Sequence, residues 1–205
     1  MGDVFGRVMV NYERRTIELF CLLDHNSYPD VRRALIDMGK DGKPIWLLID
    51  SPGGDLFAGN QTFALLRACA SPVIGLVMGQ ASSAAALALQ GCNLRIALSD
   101  LSVIGLHEPT GWVGSFEAKS ERFAAENKQA INAILHAFVW RDPNEDREEE
   151  IKEMISGKIS LYAKEAMEKG IVDAILIDRE NILTSLGKIP LSDLLIELSG
   201  LELPF

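Results

Sequence analysis

The chain is 205 residues long and 48% apolar, which excludes a disordered chain and leaves ample material for a core. Its formal net charge is −9 and its pI is near 4.9. No basic stripe interrupts the acidic balance, so nucleic acid is not an expected partner. Three cysteines, Cys21, Cys69 and Cys92, lie far apart in apolar runs. Their spacing suits no metal, and they read as small core residues in a reducing compartment.

Met1–Arg15 is mixed in character and reads as a short strand or an arm. It lacks the apolar core of a signal peptide. No run of about 18 apolar residues follows that would span a bilayer, so the expected setting is the cytoplasm, away from membranes. Thr16–Leu23 reads as a strand. Asp24–Ser27 is a polar turn, and Pro29 suits the first turn of a helix whose apolar positions are Val31, Leu35, Ile36 and Met38. Ile45–Ile49 is a nearly continuous apolar run, as in a strand buried on both faces. Leu56–Ala70 reads as a helix stopped by Ser71-Pro72. Val73–Met78 is a second buried strand, Ser83–Leu89 an apolar helix, and Leu94–Leu98 and Leu101–Leu106 are short strands. Phe116–Arg141 reads as one amphipathic helix of about 39 Å at 1.5 Å per residue. Its apolar stripe continues to Phe138 and Val139, which favours a projecting helix that meets another subunit over one lying on its own core. The mainly acidic run Arg141–Glu153 reads as a solvated turn and helix face, and Glu148–Ile155 as a short helix. Lys158–Tyr162 reads as a strand or turn, Ala163–Gly170 as a helix, Ile171–Ile177 as a strand, and Asn181–Phe205 as a leucine-rich tail. Alternating strands and helices with short connections predict βαβ units on a parallel sheet.

Two stretches share one grammar. Ile45–Ile49 leads into Asp50-Ser51-Pro52-Gly53-Gly54, and Val73–Met78 leads into Gly79-Gln80-Ala81-Ser82-Ser83-Ala84. Each is a strand, a turn bearing glycine and a helix. Glycine lets backbone N–H groups approach a ligand, and a helix start adds unpaired donors. Two such turns suit a developing oxyanion, with Ser83 presented beside it. The same residues also suit a plain turn, an N-cap serine and close helix packing. His25 and His136 read as structural, and Trp46 and Trp112 as packing residues, with Trp112 near the loop after His107.

Asp50–Gly54, Met78–Ser83, His107-Glu108-Pro109, and Ala163–Ala166 followed by Gly170–Asp173 occur in one order. That order and spacing resemble Clp protease proteolytic subunits, across roughly residues 16–177. The resemblance implies an α/β fold, ClpP/crotonase-like, of stacked βαβ units with a long projecting helix. It divides the chain into an N-terminal arm (1–15), a peptidase domain (16–178, with 116–141 as the inter-ring helix) and a tail (179–205). It implies a serine endopeptidase acting on peptides or unfolded proteins inside an oligomeric chamber. Ser83 would be the nucleophile, His107 the general base, and the backbone N–H groups of Gly54 and Ala84 the oxyanion hole. No metal or cofactor is implied. A homo-oligomeric double ring and an AAA+ unfoldase are the implied partners.

The pattern breaks at one place. The family's triad acid falls on Lys158, and the nearest carboxylates are Glu153 and Glu165. Another group then orients His107, or the enzyme is slow, or the subunit is catalytically silent. A lysine base, Lys119 or Lys158, is a further reading. A crotonase-like acyl-CoA enzyme is the rival on the same fold.

Overall fold

The computed structural model describes residues 8–109 and 121–177. The tail, the arm before Val8, Lys119 and Trp112 lie outside the described residues. The chain order is β1 (Met9–Asn11), β2 (Thr16–Leu19), α1 (Tyr28–Met38), β3 (Ile45–Ser51), α2 (Leu56–Ala68), β4 (Val73–Ser82) and α3 (Ala84–Gln90). There follow β5 (Leu94–Ser99), β6 (Val103–Leu106), α4 (Glu121–Val139), α5 (Glu145–Ser156), β7 (Ile159–Tyr162), α6 (Ala163–Glu168) and β8 (Ala174–Ile177).

The sheet runs β1-β2-β3-β4-β5-β8. From β2 to β8 all neighbours are parallel, and only β1 joins antiparallel at the edge. The apolar runs of β3 and β4 follow from burial on both faces. Ile45, Leu47, Ile49, Val73 and Val77 point into the larger cluster, with α1, α2 and α3. Trp46, Leu48, Ile74, Leu76 and Ile96 form a second cluster on the opposite face. Every residue of α3 is buried. Cys92 is buried in the larger cluster, and burial pushes its thiol up to about 12, so it stays neutral and acts as a small hydrophobe.

β4 is longer than the Val73–Met78 expected. The β3–β4 ladder slips between Ile49 and Ser51, and Asp50 Oδ1 accepts from Gln80 N at 3.1 Å across the slip. β4 then continues to Ser82 and changes neighbour. Ile74–Val77 pair with β5, whereas Gln80–Ser82 pair in parallel with Val103–Gly105 of β6. The antiparallel β6–β7 pair extends this arm of the sheet.

The helix expected over Phe116–Arg141 is described from Glu121 to Val139, 19 residues. Its final turns lie on the subunit's own core, where Ile134, Leu135, Ala137 and Phe138 are buried. Beyond them Arg67 stacks on the Trp140 ring at 3.5 Å, and Trp140 Nε1 donates to Gln90 O at 3.0 Å. The apolar stripe at that end is thus matched by intrasubunit packing. His136 is exposed, with its ring edge-on to Phe63 at 6.3 Å.

Candidate active site

Strand pairing brings Ser83 and His107 together. Ser83 follows the last residue of β4, and His107 follows the last residue of β6. These strands are parallel with Ser82 opposite Gly105, so both residues emerge at the carboxyl ends, where open α/β sheets place their sites. Ser83 N donates to Gly105 O at 2.8 Å and fixes the two ends to each other. Ser83 has φ 53° and ψ −124°, a left-handed conformation that costs a residue with a side chain about 1–3 kcal/mol. Strand, strained serine and helix in succession lift a hydroxyl clear of the sheet, the same geometric solution as a nucleophile elbow.

The other wall is the turn after β3. Gly53 O accepts from Leu23 N at 2.8 Å, and Asp55 N donates to Leu23 O at 2.8 Å. A parallel bridge of this kind turns the N–H of Gly54 away from Leu23. Ser51, fully buried, locks the turn: its Oγ donates to Cys21 O at 2.5 Å and accepts from Gly53 N at 3.2 Å. Asp55 caps α2, its Oδ1 accepting from Ala58 N at 2.9 Å. Both roles went unread in the sequence, although a serine before Pro-Gly-Gly and an aspartate before a helical run were the available signals.

Gly54, Ser83, Ala84, His107 and Pro109 line one cavity of about 350 Å³. Ala84 is the first residue of α3, so its N–H has no partner within the helix. Apolar walls come from Phe57, Leu106, Ile134 and Phe138, and Phe57 stands 76% exposed. Ser83 and His107 both line this cavity, with no hydrogen bond between their side chains. Among the described residues, no group of three or more His, Cys, Asp and Glu side chains could hold a metal ion.

His107 is half-buried, and its Nδ1 lies 2.6 Å from the main-chain oxygen of Glu108. Neither carboxylate near position 158 reaches it. Glu165 is engaged at the start of α6, its Oε2 accepting from Tyr162 N at 3.1 Å. Lys158 is exposed, with φ 49°. The β6–β7 ladder pairs Leu106 with Ile159, so His107 and Lys158 are the residues that follow and precede its last pair.

A parallel sheet with this side arm, and a cavity at the ends of β4 and β6, define a mixed α/β protein of ClpP type. The chain belongs to the Clp protease family, whose model, described as Clp protease, matches residues 4–179. It is 29% identical over 183 residues to an ATP-dependent Clp protease proteolytic subunit 3 of Synechococcus sp., covering 85% of this chain and 90% of that protein. It is 26% identical over 191 residues to an ATP-dependent Clp protease proteolytic subunit of Bacteroides thetaiotaomicron, covering 86% and 80%. Among solved structures, a ClpP1 mutant from Listeria monocytogenes superposes with a TM-score of 0.67 at 20% identity, covering 83% of this chain and 96% of that one. That likeness carries the fold. The family assignment sets aside the acyl-CoA reading. Among the described residues, no helix is long and apolar enough to cross a membrane.

Proposed function

We propose that the chain is the proteolytic subunit of a ClpP-type serine endopeptidase. Ser83 Oγ attacks the peptide carbonyl carbon while its proton passes to Nε2 of His107. The oxyanion so formed sits between the N–H groups of Gly54 and Ala84, which lie on the same cavity. As the carbon–nitrogen bond breaks, the imidazolium returns the proton to the departing amine. Water then hydrolyses the acyl-serine by the same path. The apolar walls favour an apolar substrate side chain beside the scissile bond. Copies of the chain assemble around a chamber, with the part of the 116–141 segment that precedes Ile134 at the contact between rings. An ATP-dependent unfoldase, in keeping with the relatives' names, feeds it unfolded protein in the cytoplasm.

The observation that carries this reading is the shared cavity of Ser83 and His107 at the ends of adjacent parallel strands. Treating the purified protein with a fluorophosphonate tests it. Covalent labelling at Ser83, lost in Ser83→Ala and slowed at least about a hundredfold in His107→Ala, is the expected result. Sedimentation should give a particle several times the 22.5 kDa chain mass. Lys158, at the place where the resemblance puts the family's acid, favours the second reading of a silent ring subunit. An assembled protein that neither labels nor cleaves short peptides would establish that reading instead.

A further inference from the structure

His107 already has a hydrogen-bond partner, and it is not a carboxylate. Its Nδ1 and the Glu108 main-chain oxygen are 2.6 Å apart. A carbonyl oxygen only accepts, so this contact is a bond only when Nδ1 carries the proton. The neutral ring then keeps its lone pair on Nε2, the nitrogen that a serine proton must reach. The residue after Glu108 narrows where this carbonyl can point. Pro109 disfavours the helical conformation at Glu108 and biases it toward an extended one. Pro109 itself lines the cavity.

We propose that the Glu108 main-chain carbonyl, biased by Pro109, is the positioning group for His107 in place of an acid at position 158, and that among the described residues Lys158 leaves that place without a counter-charge for the imidazolium. The inference rests on the serine-peptidase reading. In the acylation step the Ser83 Oγ proton moves to Nε2, and Nδ1–H stays on the Glu108 oxygen. The ring becomes a cation held by a neutral dipole. Nε2–H then protonates the departing amine, and the Nδ1–H tautomer is restored. Orientation and tautomer are kept. What is lost is the stronger, charge-assisted bond that a carboxylate makes to an imidazolium. In trypsin, removing the acid also leaves the wrong tautomer and costs about 10⁴ in turnover, so the deficit here is smaller than that.

Two measurements test this. The chain has three histidines, so ¹⁵N-histidine labelling and solid-state NMR of the assembled protein, with His107→Gln for assignment, read the tautomer directly. At a pH where the ring is neutral, His107 should carry its proton on Nδ1. A proton on Nε2 overturns the proposal, whatever the activity. The second measurement is kinetic, on a short peptide. Lys158→Asp should raise kcat at least about tenfold with KM changed less than about twofold, and Lys158→Met should raise it less. Aspartate tolerates the left-handed backbone at this position. Pro109→Gly should lower kcat, and Lys158→Asp should restore it by giving Nδ1–H a second acceptor. An unchanged or lower kcat in Lys158→Asp, or no rescue of Pro109→Gly, overturns the proposal. Absent fluorophosphonate labelling of Ser83 in both the wild type and Lys158→Asp would instead remove the peptidase reading.

Discussion

Gly54 occupies a position that no side chain fits. Its φ is +149°, and a Cβ built there would lie 2.5 Å from Leu23 O and 3.0 Å from Leu23 C. Both are backbone atoms of a paired segment, so relief comes only by moving the turn itself. Gly54→Ala therefore shifts the turn whose N–H the proposed reaction uses as an oxyanion donor. Loss of one oxyanion donor lowers turnover about 10²–10³-fold, with KM nearly unchanged, when rates are normalised to sites titrated with fluorophosphonate. Unchanged turnover per titrated site, despite lower stability, would remove Gly54 from the reaction. The residues of this site differ in how legible they were. Ser83 and His107 could be proposed from the sequence because each follows an apolar strand within a local motif, and the chain has only three histidines. The acceptor on His107 was not, because every residue carries a carbonyl and nothing in residue identity singles this one out. The strain at Ser83 is likewise a backbone property that residue identity does not encode.

Elements are joined at the rear of the site by a single buried cation. Arg95 on β5 is 4% exposed. Its Nε and Nη2 donate to the two Asp173 oxygens at 3.0 and 2.5 Å, and its Nη1 donates to Gln90 Oε1 at 2.5 Å. Gln90 Nε2 in turn donates to Ile171 O at 3.2 Å. The end of α3, β5 and the segment entering β8 are thus one unit, which explains the Gly170–Asp173 motif by structure alone. Asp173→Ala leaves a buried guanidinium without its partner, and breaking such a pair costs about 3–5 kcal/mol. Urea denaturation checks this; a loss under about 1 kcal/mol would mean water replaces the carboxylate. Most elements were legible, since buried strands and stripes write themselves as apolar runs. Two features were not. Met78-Gly79-Gln80 looks like the end of a strand, but β4 continues because Asp50 and β6 supply new partners. The stripe ending at Phe138 and Val139 shows that this face is covered, but a stripe cannot say by which chain.

Over the whole molecule, charge acts in two opposite directions as pH falls. The net charge of −9 at pH 7 shrinks toward the pI near 4.9, which relieves self-repulsion and favours the folded state. Against this stand carboxylates held below their ordinary range. Burial pushes the Asp173 carboxyl up, but the hydrogen bonds and charge of Arg95 outweigh it and hold it low. At Glu150 the Lys169 hydrogen bond is the largest cause, joined by Arg147. At Asp24 burial again opposes, and the N–H groups of Ser27 and Asn26 prevail. A depressed carboxylate contributes stability above its unfolded value, about 3.9 for Asp and 4.3 for Glu. That contribution is lost as pH falls through the lower folded value, because the unfolded chain takes up protons first. The urea midpoint should therefore hold or rise from pH 8 to about 5 and fall steeply below about pH 4. Asp173→Asn should flatten the acid limb, so that its midpoint and the wild type's converge at the lowest pH. Parallel curves for the two proteins across the acid limb would show that the Arg95 pair does not set it.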